Sequence, residues 1–228
     1  MIFRQLFDRD SCTYTYLIAD SNSRRGVIVD PVLEYFERDS QLIKDLNIEL
    51  VYVLETHVHA DHITAAAKLR ESTHCKIAYS NASKVECANE LLSDGQIIEI
   101  DDLRIKSLTC PGHTTCSMSF LINDALVLTG DTLFIRGCGR SDFQQGDAAT
   151  LYESITQKLF TLDGSTLVYP GHDYNGMLVS TIEEEKRCNP RLAGKTKEEF
   201  INLMDNLNLP DPRRINEAVP ANLRCGAI

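Results

Sequence analysis

Five of the six histidines in this chain fall in segments suited to presenting metal ligands. Thr56-His57-Val58-His59-Ala60-Asp61-His62 puts three imidazoles and a carboxylate within six residues. His113 follows in Cys110-Pro-Gly-His113, Asp131 in Thr129-Gly-Asp131, and His172 in Tyr169-Pro-Gly-His172. Only His74 stands outside such a context. Imidazole nitrogen with carboxylate oxygen suits zinc or iron better than calcium or magnesium. Several groups sit beside a glycine or a short apolar run, as ligands on loops at strand ends do. Scattered surface histidines would not give this density of pattern, so the chain reads as a metalloprotein.

The elements that must position these groups alternate between strands and helices. Ile2 to Phe7, Thr13 to Ala19 and Gly26 to Asp30 read as short strands, and Leu33 to Leu46 as a helix. Glu49 to Glu55 is a β-branched apolar strand ending at the histidine cluster, and a helix from Ile63 to Ser72 is expected directly after His62. A second set of strands covers Lys76 to Tyr79, Gln96 to Ile100, Leu103 to Leu108, Ser117 to Ile122 and Ala125 to Leu128, with a tight turn at Asn123-Asp124. Asp147 to Leu159 reads as a helix, Thr166 to Tyr169 as a strand and Thr181 to Arg187 as a helix. Helices near Lys197 to Leu207 and Arg213 to Ala218 complete the pattern. Because the metal motifs run from His57 to His172, residues 1–228 are expected to form a single domain, with a C-terminal helical tail from about residue 190 packed on it.

Composition narrows the function. With 228 residues, 43% hydrophobic and 25% charged, the chain is an ordinary globular one. A net charge of −10 argues against sequence-independent nucleic-acid binding. No apolar run approaches a bilayer span, and the acid-bearing N-terminus does not read as a signal peptide. Eight cysteines without a Cys-x-x-Cys pair are expected to be reduced thiols in a cytoplasmic compartment. On this reading Cys12, Cys75, Cys87 and Cys188 pack as small apolar residues. Cys110, Cys116 and Cys138 lie near the metal motifs, and Cys225 near the C-terminus.

The ordered set His-x-His-x-Asp-His, His, Asp, His resembles the metallo-β-lactamase superfamily across nearly the whole chain. That resemblance implies an α/β four-layer αβ/βα sandwich with metal at one edge between two sheets. In its binuclear members, positions like His57, His59 and His113 hold one metal, Asp61, His62 and His172 the other, and Asp131 bridges. The segment Phe134-Ile-Arg-Gly-Cys-Gly-Arg140-Ser-Asp-Phe-Gln-Gln-Gly146 is similar to the glutathione-persulfide dioxygenases, also called sulfur dioxygenases. Asn189-Pro-Arg-Leu192 and Ala218-Val-Pro-Ala-Asn-Leu-Arg-Cys-Gly226 carry the same resemblance, and the Gly-Gly usual after the motif in glyoxalase II is missing. The resemblance implies one Fe(II) per chain on His57, His113 and Asp131, with His59, Asp61, His62 and His172 as supporting groups around it. It implies oxidation of glutathione persulfide by O₂ and water to sulfite and glutathione.

Two other functions are expected to compete: a binuclear zinc hydrolase of glutathione thioesters, of glyoxalase II type, and a non-catalytic redox or metal-binding module. Arg140, after two glycines, is a candidate for holding a glutathione carboxylate, against an ion pair with Asp142 or Asp147. Tyr174 is a candidate for the tripeptide, against core packing, and Arg224 for the same pocket, against plain solvation. Arg213-Arg214 reads as a solvated helix start, and Glu183-Glu184-Glu185 as an exposed one favoured by the helix dipole. Partners open to such a chain are a second copy, as a homodimer, and a separate rhodanese-type persulfide donor, since no rhodanese-like domain follows.

Overall fold

The computed structural model describes residues 1–212 and 214–227, so Arg213 and the expected start of the last helix there lie outside the described residues. The chain divides into two compact units. The first takes Met1–Leu92, Ile97–Arg104 and Asp211–Ile228; the second takes Ser93–Gln96 and Ile105–Pro210. The expected C-terminal tail is therefore shared, with 190–210 in the second unit and 211 onward in the first.

The first unit is built on a sheet in sequence order: β1 (Ile2–Phe7), β2 (Tyr14–Ala19), β3 (Arg25–Val29), β4 (Glu49–Leu54), β5 (Lys76–Ser80) and β6 (Glu90–Leu92). The first three pair antiparallel and the rest parallel. Tyr14 to Ala19 are all buried, as are Val27, Ile28 and Val29, so β2 and β3 carry the near-continuous apolar runs of strands covered on both faces. A crossover helix, α1 (Phe36–Asp45), joins β3 to β4, and α2 (Ala66–Thr73) joins β4 to β5. The expected helix after His62 thus begins at Ala66. Residues 63–65 are instead bound to other segments, with Leu33 N donating to Ile63 O and Ala65 N to Pro31 O. A further strand, β7 (Ile97–Ile100), also belongs to this unit. Strand β6 was not legible in the sequence because three residues give no period.

In the second unit the strand order is β12 (Ser180–Thr181), β11 (Leu167–Pro170), β10 (Leu126–Gly130), β9 (Met118–Ile122) and β8 (Leu103–Thr109, whose last five residues lie in this unit). Strands β9 and β10 are buried throughout. Asn123 and Asp124 join them with φ of 49° and 53°, left-handed backbone that short polar side chains tolerate. Strand β11 pairs parallel with β10. Around this sheet lie α3 (Ala148–Glu153), which continues as π and 3₁₀ turns to Thr161, α4 (Ile182–Cys188) and α5 (Lys197–Asp205). Their apolar faces meet in a cluster with Leu151, Ile155, Val168, Ile182 and Phe200 at its centre. Asp147 caps α3 through Thr150 N, and Thr196 with Glu199 forms a reciprocal capping box on α5. The last helix, α6 (Ile215–Asn222), lies in the first unit.

Three expectations about cysteines and acidic residues are corrected. Cys87 and Cys225 are joined as a disulfide across 138 residues, so they are neither reduced nor merely packed. That pairing depends on where the C-terminal segment returns, which spacing does not reveal. Cys188 is exposed rather than packed. The triple glutamate is not a uniformly exposed helix start either. Glu185 is fully buried because its carboxylate is saturated, accepting from Arg136 N at 2.9 Å, Ser180 Oγ at 2.6 Å and Asn189 Nδ2 at 2.9 Å, and pairing with the Arg136 guanidinium.

Candidate metal centre

In the first unit the histidine cluster leaves β4 directly, at the C-terminal end of a parallel strand, where α/β sheets commonly present ligands. Two buried carboxylates organise it. Asp30, at the end of β3, accepts from Thr56 N at 2.8 Å and from Thr56 Oγ1 at 2.7 Å. Since the Thr56 hydroxyl proton goes to Asp30, its oxygen accepts from His57 Nδ1 at 3.0 Å. That fixes the His57 proton on Nδ1 and leaves Nε2 with its lone pair.

The His59 ring lies tilted against both neighbours, with ring centroids 4.1 Å from His57 and 4.3 Å from His62. Its Nε2 lies 3.1 Å from Asp30 and 3.2 Å from Glu55, all three residues being buried. Burial pulls the His59 pKa down, but the Asp30 and Glu55 carboxylates outweigh it and hold it well above the usual histidine value. Burial likewise pushes the Glu55 carboxyl up, against the opposing pull of His59. His62 Nδ1 pairs with Asp61 at 2.8 Å, and Asp61 also accepts from Thr13 Oγ1 at 3.0 Å. His59 Nδ1 and His62 Nε2 are buried without a hydrogen-bond partner. Orphaned buried ring nitrogens on neighbouring imidazoles are hydrogen-bonding capacity that a bound group would satisfy. The ligand atoms of His59, Asp61 and His62 all lie within 4.8 Å of one another.

In the second unit His113, Asp131 and His172 come together. Asp131 follows β10 and His172 follows β11, adjacent parallel strands that deliver both side chains to one end of the sheet. His172 Nδ1 donates to Asp131 Oδ1 at 2.7 Å, and His113 Nε2 lies 3.5 Å from Asp131 Oδ2. His113 Nδ1 lies 2.7 Å from Arg140 O, an acceptor only, so the proton is on Nδ1 and Nε2 keeps its lone pair. Glycines permit this crowding. A Cβ at Gly139 would lie 2.2 Å from Asp131 O and 2.9 Å from His113 Nδ1, and one at Gly171 would lie 2.6 Å from Asp131 Oδ1.

His57, His113 and Asp131 are thus each oriented by a hydrogen bond through one side-chain atom, as metal-binding histidines and carboxylates commonly are. Imidazole nitrogen and carboxylate oxygen are donors that zinc and iron both accept.

Sequence reasoning missed the groups that hold the loops. Asn189 is fully buried and donates to Gly137 O at 2.9 Å, and Arg191 donates to Cys138 O at 2.7 Å; together they fix the segment that carries Arg140. Arg140 itself pairs with Asp142 at 2.6 and 2.7 Å and donates to Pro210 O at 2.6 Å. Tyr174 is 68% exposed and stacks on His172 at 6.1 Å, beside a cleft of about 240 Å³ also lined by Phe134, Arg136, Asp173 and Arg191. Arg224 is exposed in the first unit, in a shallow depression with Lys84, Glu86 and Cys87. Asp30 and Glu55 carried no motif signal, since single acids at strand ends are common.

Residues 11–172 match the metallo-β-lactamase superfamily model. Persulfide dioxygenase ETHE1, mitochondrial, of Mus musculus is 50% identical, covering 99% of this chain and 89% of the relative, and its Homo sapiens counterpart is 49% identical over the same shares. The crystal structure of ETHE1 from Myxococcus xanthus superposes with a TM-score of 0.96 at 54% identity, covering all of both chains. A metallo-beta-lactamase from Staphylococcus aureus, at 22% identity and a TM-score of 0.90, covers all of this chain and 73% of its own, and shows the shared fold. The chain has the metallo-β-lactamase fold, two mixed sheets flanked by helices, and belongs to the persulfide dioxygenase family of that superfamily.

Proposed function

We propose that this chain oxidises glutathione persulfide with O₂ and water to sulfite and glutathione, using one Fe(II) held by His57, His113 and Asp131. The persulfide, O₂ and one water give glutathione, sulfite and two protons, so atoms and charge balance. The observation that carries the ligand set is the proton arrangement: Thr56 and Arg140 O tie the far nitrogens of His57 and His113, and His172 ties the far oxygen of Asp131. Iron, when bound, supplies the redox chemistry that O₂ activation needs, and a two-histidine, one-carboxylate face leaves positions for a sulfur anion and O₂.

The chain's own residues do the rest. His59, Asp61, His62 and His172 orient the ligands and set the charge around them. Arg140 exchanges Asp142 for a glutathione carboxylate, Tyr174 borders the cleft taken by the tripeptide, and Arg224 stays at the solvated surface unless that carboxylate reaches it. The two units work together as one domain. A homodimer and a separate rhodanese-type donor remain part of this reading. A cytoplasmic location stays part of this reading, although the Cys87–Cys225 disulfide removes the argument for it from uniformly reduced thiols. The mammalian relatives are named mitochondrial, and cell fractionation decides the point. Among the described residues no helix is long and apolar enough to cross a membrane.

The test is oxygen uptake with glutathione persulfide on protein analysed for metal. About one iron per chain with uptake and sulfite release is expected. No uptake, together with thioester hydrolysis by a two-zinc form, would select the hydrolase instead.

A further inference from the structure

We infer that Asn222, held in place by the Cys87–Cys225 disulfide, is a positioning residue for the histidine loop. The inference rests on the reading of that loop as part of the iron site. Asn222 is the last residue of α6 and is fully buried. Its Nδ2 donates to His59 O at 2.9 Å and to His62 O at 2.8 Å, while its Oδ1 accepts from Thr64 N at 2.9 Å. These partners fix the amide orientation, because a flipped amide would set oxygen against two carbonyls and nitrogen against an N–H. One side chain thus closes the loop backbone at three points without touching a proposed iron ligand.

The segment that carries Asn222 is anchored on both sides. Before it, Ala218 and Ala221 pack on Ile63 of the same loop. After it, Cys225 O accepts from Ala67 N at 3.0 Å, satisfying a free N–H in the first turn of α2, a helix whose N-cap residue makes no side-chain cap. Gly226, at φ +75°, passes so close that a Cβ would lie 2.0 Å from Thr64 O. The Cys225 sulfur is then bonded to Cys87 in the segment between β5 and β6. A loop bearing three imidazoles and two orphaned ring nitrogens would otherwise be free to relax away from its binding geometry. The C-terminal segment removes that freedom through backbone contacts.

The test replaces Asn222 with Asp, nearly isosteric but with oxygen facing the two carbonyls, and with Leu, which makes none of the three bonds. Three properties are read: the ferrous dissociation constant by chelator competition, the EPR spectrum of the nitric-oxide-treated ferrous protein, and the split between kcat and KM for persulfide. Iron binding is expected to weaken about tenfold to a hundredfold, the size typical of outer-shell losses. The EPR line shape should change, and kcat should fall more than KM rises. Ile43→Ala removes buried apolar volume from α1 and leaves the Asn222 contacts in place, so it should lower Tm with wild-type iron affinity and spectrum. Wild-type iron properties in both Asn222 variants would overturn the inference, as would equal damage from Ile43→Ala. Should the Asn222 variants fail to fold, Cys87→Ser at its half-exposed position supplies the measurement. Faster iron loss is expected there, and an unchanged rate overturns the inference. Iron affinity and EPR need no persulfide turnover, so an inactive wild-type protein would sink the proposed reaction while leaving this inference to be judged separately.

Discussion

The two histidine-bearing corners of this protein are held by opposite means. In the first unit, buried charge does the holding: Asp30 and Glu55 flank His59, and Asp30 fixes Thr56 and through it His57. In the second unit, close backbone approach does it: Gly139 and Gly171 bring the chain against Asp131, and Arg140 O, not a carboxylate, fixes His113. A charge-held loop tolerates changes of shape better than changes of charge. A backbone-held corner should behave the other way round.

The largest effect is expected at Asp131, which supplies the only anion of the proposed ligand set. Asp131→Ala should lose iron and oxygen uptake together, measured by metal analysis and an oxygen electrode. Full iron with full turnover would remove the ligand assignment. His59→Ala offers the internal comparison, with most iron retained and turnover reduced, because its contacts run to Asp30 and Glu55. Complete metal loss there would favour two metals.

The contrast between the units is sharpened by two tests, one that changes charge at constant shape and one that changes shape at constant charge. Glu55→Gln keeps volume and removes a buried charge facing His59, and should weaken iron binding on the order of tenfold or more. Gly139→Ala keeps every charge and adds one carbon, which meets backbone oxygen at 2.2 Å. It should damage His113 and Asp131 together and lower both iron affinity and Tm, a backbone clash being hard to relieve. If Gly139→Ala were silent, or Glu55→Gln were silent while Ala at Gly139 were not, the two corners would not be held as described.

Cys87 and Cys225 both lie in the first unit, and the loop their bond closes runs through the second. Closing a loop of 138 residues gives an entropic ceiling of about 5 kcal/mol, and observed gains usually fall short of it. Reductant should lower Tm by several degrees, read in thermal melts of metal-free protein. A melt indifferent to reductant would mean the bond does not constrain the unfolded chain.

Much of the candidate metal site was legible in the sequence because residue types able to bind metal cluster at strand ends. His57, His59, Asp61 and His62 share one loop, and His113, Asp131 and His172 each sit beside a glycine or follow one. What was not legible was support from far along the chain. Asn222 lies 160 residues from His62, and Cys225 lies 138 from Cys87, so no local period records either contact. Glu185 was misread for a related reason. An acid in the first turn of a helix looks exposed until the partners that desolvate it are seen. The endings Asn189-Pro-Arg-Leu192 and Ala218 to Gly226 were noticed as resemblance, but their work in pinning loops is visible only in three dimensions.

Arg140 tests how far the second corner extends toward substrate. Its ion pair with Asp142 is partly exposed, with 55% of the Asp142 side chain accessible, so the pair itself adds only about 0–1 kcal/mol to stability. Arg140→Ala should therefore leave Tm and iron nearly unchanged, because His113 is held by the backbone oxygen of this residue and not by its guanidinium. A lost charge-assisted contact to substrate is worth roughly 1.5–3 kcal/mol, so kcat/KM should fall about tenfold to a hundredfold. Lysine should restore part of it, and a small persulfide without a glycine carboxylate should be insensitive. Equal losses for both substrates would move Arg140 out of substrate binding.

The smallest effect expected concerns thiol reactivity. Burial pushes the Cys110 thiol up to about 11, and also raises Cys138. A raised thiol pKa keeps the group protonated, and so unreactive, at every pH below that value. Cys188 is exposed and Cys12 is partly so. At pH 8 an alkylating reagent should label Cys188 first and Cys12 next in the native protein, leaving Cys110 and Cys138 unmodified until denaturant is added. Mass spectrometry of peptides after a short labelling pulse reads the order. Early labelling of Cys110 would show that the packed backbone around His113 opens to solvent, and that the second corner is less rigid than its glycine contacts require.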